Sequence, residues 1–273
     1  MSGEIKEGQP CCSVSGDSMD SFKEQFRLTL EKLTTLRSLG FVLASLALTF
    51  TMYLFSHIIS GYIAGMGYDV QISIDMILME FIPLLMIIVA AVVAAEKEKI
   101  LDLSGTYAIA GRYLGAVSVS TVLMIPVYIM ILIAQTIHGT GNQISALQSF
   151  VLMVAFTAIV VAVTMLINTL SKHAALFSIL TLFIIVPLLV FIISSLTGFV
   201  DINTMCSVIP IPDVVAAVNA NGHGGLTMIG GMSLVKATSM ISVDAGASLV
   251  LFLGWAFALF SIVVFVLGRR EPE

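Results

Sequence analysis

With 273 residues, 58% of them apolar and only 11% charged, and a mean hydropathy of +1.07, the chain has too little polar surface for a water-soluble domain of its size. Most of it must be solvated by lipid. The formal charge of −5 offers no basic face to a nucleic acid, and three cysteines (Cys11, Cys12 and Cys206) provide no disulfide framework.

Residues 1–20 are polar, with Gly, Ser and acids, and lack the apolar core of a signal peptide, so they read as a disordered cytoplasmic tail. Ser21, with Glu24 three positions on, has the form of a capping box. Phe22, Phe26, Leu30 and Leu33 then recur at helical spacing, while Lys23, Arg27, Glu31 and Lys32 take the other face. This pattern predicts an amphipathic helix over 21–38 that lies along the inner membrane surface, or else a solvated helix leading into the first span.

A transmembrane helix needs about 20 mostly apolar residues. Six stretches meet that length, at about 41–60, 76–95, 114–137, 147–170, 174–197 and 247–268. Strand-like alternation is missing, and backbone groups in lipid need partners within their own segment. The expected fold is therefore an all-α membrane protein with six transmembrane helices in a domain over 39–268, followed by a cytoplasmic tail over 269–273.

Glu80, near the start of the second span, is the one acid embedded in an apolar run; it is a candidate pathway residue or an interfacial carboxylate in contact with water. Pro83, Pro126 and Pro187 fall inside spans two, three and five, where each removes a backbone donor. The loop over 198–246 carries two weakly apolar segments, "SVIPIPDVVAAVNA" and "GLTMIGGMSLV", each too short to span. They predict re-entrant or interfacial helices before span six, broken at "NANGHGG".

Basic residues set the orientation. Lys6, Lys23, Arg27, Lys32 and Arg37 precede span one; Lys97, Lys99 and Arg112 lie between spans two and three; Lys172 lies between four and five; Arg269 and Arg270 follow span six. Of the twelve basic residues only Lys236 falls elsewhere, so the expected topology is a multi-pass cell-membrane protein with both termini in the cytoplasm.

The sequence has no G-x-x-x-x-G-K-S/T phosphate loop, no H-E-x-x-H and no G-x-S-x-G, and its four histidines are scattered. It therefore reads as neither an enzyme nor a metal or cofactor protein. Attention falls on the cytoplasmic elbow between spans two and three. Glu96, Lys97, Glu98 and Lys99 extend span two as a charged helix, Ile100, Leu101 and Leu103 give it an apolar edge, Gly105 allows a turn, and Arg112 stands at the predicted boundary of span three. Such a helix either docks in a groove on a soluble partner or is a solvated connector whose charges keep it inside.

This order of parts resembles the ABC-2 family of ABC-transporter permeases. The charged run Glu96 to Lys99 matches that family's coupling-helix pattern, and Arg112 falls at the matching distance; Ile100 departs from its usual glycine and Ile109 from its usual proline. The resemblance implies an N-terminal connecting helix (Phe22, Phe26, Arg27), a cytoplasmic coupling helix contacting an ATPase through Glu96, Lys97, Glu98, Lys99 and Arg112, and a second permease copy. ATP and Mg would be bound by the partner ATPase and not by this chain. Export of a substrate is the implied activity. The rival readings are an ion-gradient-driven carrier or channel without an ATPase, and an intramembrane enzyme.

Overall fold

In lipid, backbone N–H and C=O groups find no water, so apolar runs close into helices. The computed structural model describes residues 19–65, 74–95, 105–138, 143–197, 208–210, 223–225, 240–242 and 244–268. In chain order these form α1 (Met19–Leu30), a 3-10 turn (Glu31–Thr34), α2 (Leu36–Gly65), α3 (Ile74–Ala94), α4 (Thr106–His138) and α5 (Gln143–Asn168). Then come α6 (Ala174–Leu180), a π-helical turn (Thr181–Ile185), α7 (Val186–Thr197), the short strands β1 (His223–Gly225) and β2 (Met240–Ser242), and α8 (Ala245–Gly268).

Three of these helices are long and apolar enough to cross a membrane, over Thr106–Met130, Phe150–Asn168 and Gly246–Gly268. The bent pair Met19–Leu33 and Ser38–Thr51 makes a fourth if it is counted as one span, and Pro83–Ala94 and Ala174–Val190 are shorter apolar helices. The chain is a helical membrane protein.

α4 and α5 form the centre. α4 packs against α1, α2, α3, α5 and α8, and α5 also packs against α3, α6 and α8. The Tyr113 hydroxyl donates to the carbonyl of Ala158 at 3.1 Å, and its ring stacks on Phe260 with centroids 4.6 Å apart. Phe156 meets Phe252 at 5.7 Å and Tyr128 meets Phe150 at 5.3 Å. These pairings run α4 antiparallel to α5 and place the end of α8 beside the start of α4. Met86, Ile87, Ala90, Met124 and Leu152 fill the space between helices. Small and flexible side chains there let the backbones approach, which is how helices associate where lipid removes the hydrophobic drive.

Several expectations are corrected. The helix predicted over 21–38 is two elements: α1 ends at Leu30, and Thr35 is extended (ψ 148) before α2 begins, with a bend of 55° between the two apolar helices. Ser21 does not cap α1, since the helix begins at Met19 and Ser21 is buried within it. Span three starts well before residue 114, because Gly105 opens α4 and the helix runs unbroken from Thr106. The fifth apolar run is interrupted by the π turn just ahead of Pro187. Proline supplies no N–H to the carbonyl four residues back, and a wider turn accommodates that gap.

In the loop before α8 the described residues are not helical: Val208 to Pro210 form a turn, and β1 pairs antiparallel with β2, His223 opposite Ser242. The remainder of the predicted re-entrant helices lies outside the described residues.

Phe156 is fully buried, whereas Phe257 on α8 is 74% exposed to the surroundings of the bundle. Phe156→Ala should lower stability by about 3–5 kcal/mol through the cavity it leaves, and Phe257→Ala by far less. Denaturant titration in detergent micelles measures both; equal losses would contradict this packing.

Candidate functional site

The elements that flank the elbow gather at one end of the bundle. The Lys32 Nζ on the 3-10 turn donates to the carbonyl of Val93, at the end of α3, at 3.4 Å. α1 lies along the first turns of α4. The two helical ends from which the elbow springs, Ala95 after α3 and Gly105 before α4, thus lie beside the N-terminal segment formed by α1 and its 3-10 turn.

The contact between α1 and α4 is set by two glycines one turn apart, Gly111 and Gly115. A Cβ at position 111 would overlap the carbonyl oxygen of Phe22, and one at 115 would lie 2.8 Å from the Cβ of Thr29. Only hydrogen fits at these points, so the pair works as a small-xxx-small seat for a crossing helix. Between them Arg112 is 2% exposed, and its Nη1 donates to Thr29 Oγ1 at 3.3 Å. Thr29 Oγ1 in turn donates to the carbonyl of Gln25 at 2.8 Å. The guanidinium is thereby linked through a hydroxyl to the α1 backbone, and a hydrogen bond from a charged donor is worth about 1.5–3 kcal/mol.

Arg112 is therefore not a boundary residue facing a soluble partner. It lies inside helix α4 and beneath α1, where its bond to Thr29 ties the two helices together. Ile109, where the resembling family has proline, is buried and its N–H donates to the carbonyl of Gly105 at 3.3 Å. A proline would lack that donor, so the departure goes with an α4 that is helical from its first turn. Gly105 itself has φ 93, a conformation glycine adopts without strain.

Phe22 and Phe26 are half-buried and stacked, with centroids 5.9 Å apart. Arg27 is exposed and its Nε pairs with Glu31 Oε1 at 3.1 Å, an i,i+4 surface pair worth a few tenths of a kcal/mol. Below α1, Thr35 Oγ1 donates to the carbonyl of Lys32 at 2.8 Å and Ser38 Oγ also bonds that carbonyl. These bonds stabilise the bend between α1 and α2. Glu96, Lys97, Glu98 and Lys99 lie outside the described residues. Glu80 is on the helical backbone of α3, and its side chain is likewise outside them.

The sequence pattern "GRYLG" over 111–115 is the signal for this seat, and it straddles the start of the predicted third span. Among the described residues no group of three or more His, Cys, Asp or Glu side chains is placed to hold a metal ion. No family model, curated protein or solved structure matches the chain.

Gly111→Ala should push α1 off α4 and cost about 1–3 kcal/mol, because the added methyl meets backbone and not a movable side chain. Gly40, which has nothing within 4 Å of a built Cβ, is the control. Gly40→Ala should be neutral or stabilising by up to about 1 kcal/mol. Thermal unfolding in one detergent compares the two; equal effects would contradict the seat.

Proposed function

We propose that this chain is the membrane-spanning subunit of an ABC transporter of the ABC-2 type, acting as an exporter. Two copies would form the substrate pathway, and a separate ATP-hydrolysing subunit, carrying ATP and Mg, would drive it by docking on the charged elbow over 96–104, ahead of the α4 residues that α1 covers. In this reading the six predicted spans cross the cell membrane with both termini in the cytoplasm, and the apolar run over 174–197 is a single span across its π turn.

The observation that carries the reading is the joint seat of the elbow. One helical root is tied to the 3-10 turn that follows α1, by Lys32 at Val93, and the other to α1 itself, by Gly111, Arg112 and Gly115 against Phe22 and Thr29. A force applied to the elbow would reach α1, α3 and α4 together, because these contacts leave little room for independent sliding. The resemblance supplies the source of that force: closure of an ATPase dimer pulling on Glu96, Glu98 and Lys99. Spans one to three would then move against four to six and open a route at the subunit interface. An ATPase-free carrier or channel is the second reading, and the π turn ahead of Pro187 is the observation in its favour, since broken helices are common in such carriers.

Glu96→Lys combined with Glu98→Lys reverses the charge of the elbow without touching the α1 seat. Loss of copurification with the ATPase, while the permease itself remains folded, is the expected result. ATPase recovery and vesicle transport equal to the unaltered chain would refute docking at this elbow.

A further inference from the structure

The end of the bundle away from the elbow contains a second tie. The Nε1 of Trp255 on α8 donates to the main-chain carbonyl of Val208 at 2.8 Å. Val208, Ile209 and Pro210 form a turn and not a helix, yet Ile209 packs against the hydrophobic core and Pro210 is buried. This short irregular segment is thus held against the side of a membrane helix.

Its depth follows from α8. The start of that helix is fixed by Asp244, whose Oδ1 accepts from the N–H of Ala247 at 2.7 Å. The apolar window is 23 residues long, Gly246–Gly268. At 1.5 Å per residue it spans about 34 Å, a little more than the roughly 30 Å hydrocarbon core. Trp255 stands nine positions beyond Gly246 (255 minus 246), so its Cα is about 14 Å along the axis. Helical side chains lean back toward the N-terminus, which brings the indole nitrogen to about 5–10 Å inside the hydrocarbon edge.

Irregular backbone at that depth is tolerated only when its polar groups are satisfied by protein or by a water-filled cavity. Two features of the segment bear on this demand. Pro210 has no N–H to satisfy, and the Val208 carbonyl receives the indole proton. We infer that Trp255 is a positioning residue that holds 208–210 inserted below the membrane surface. The placement rests on the chain spanning a membrane and not on what drives it. Failure of an ATPase to bind would leave it standing.

Trp255 is the single tryptophan of the chain, so intrinsic fluorescence reports on it alone. In vesicles of phosphatidylcholine brominated at defined acyl-chain carbons, bromine in the upper acyl chain should quench the emission more strongly than a headgroup-directed aqueous quencher. Quenching mainly from water would overturn the inserted placement. Insertion of the turn itself is read in a chain with Cys11, Cys12 and Cys206 replaced by serine and Val208→Cys added. A membrane-impermeant maleimide should label position 208 slowly. Adding Trp255→Phe removes one hydrogen bond worth about 1 kcal/mol and should speed labelling roughly fivefold. Equal rates with and without the indole N–H, or rapid labelling in both, would overturn the positioning role. The quenching measurement uses the unaltered protein and stands even if the Phe variant does not fold.

Discussion

The architecture depends on the absence of side chains at two points of α4. Because Gly111 and Gly115 carry only hydrogen, α1 comes close enough to touch backbone, and Arg112 between them can reach Thr29. The outer face of α1 carries exposed charges (Asp20, Lys23, Arg27 and Glu31), so only its inner face can hold it to the bundle. Close contact and a buried charge-assisted hydrogen bond strengthen that face. The N-terminal helix becomes part of the bundle, and the elbow's second root is fixed by the same contact.

On the proposed reading, that seat is what lets force on the elbow reach the helices beside it. A solvated connector between two spans could flex without moving anything else. Here its first root is tied through Val93 to Lys32 and its second through α4 to Phe22 and Thr29, so the roots are held by the consecutive 3-10 turn and α1. The far end of the bundle is built on another principle, in which a single indole N–H satisfies a carbonyl on irregular backbone. One end carries a charged elbow on a rigid base. The other carries an irregular segment on a hydrogen bond.

Helix positions were largely legible because hydrophobic length is a one-dimensional property. Four of the predicted runs coincide within a few residues with α3, α5, α8 and the combined α6 to α7. Burial was less legible. The amphipathic pattern of Phe22, Phe26, Leu30 and Leu33 is the same whether its apolar face meets lipid or a neighbouring helix, and only the glycines on the other partner decide between them. Arg112 misled for a related reason: charge usually marks a membrane boundary, but a guanidinium can be enclosed when a hydroxyl such as that of Thr29 accepts from it. The loop before α8, with Pro210, Pro212 and several glycines, has no period to read, and the pairing of His223 with Ser242 depends on residues far apart in sequence.

The closeness of α1 to α4 is tested most directly by a covalent bridge. With the native cysteines replaced by serine, Thr29→Cys and Gly115→Cys should form a disulfide in membranes, because the added Cβ at 115 forces α1 outward by about 1 Å and that shift brings the two Cβ atoms to bonding separation. Mass spectrometry of proteolysed, unreduced protein should recover the linked pair of peptides. Two free thiols under oxidising conditions that readily bridge exposed cysteines would contradict the account.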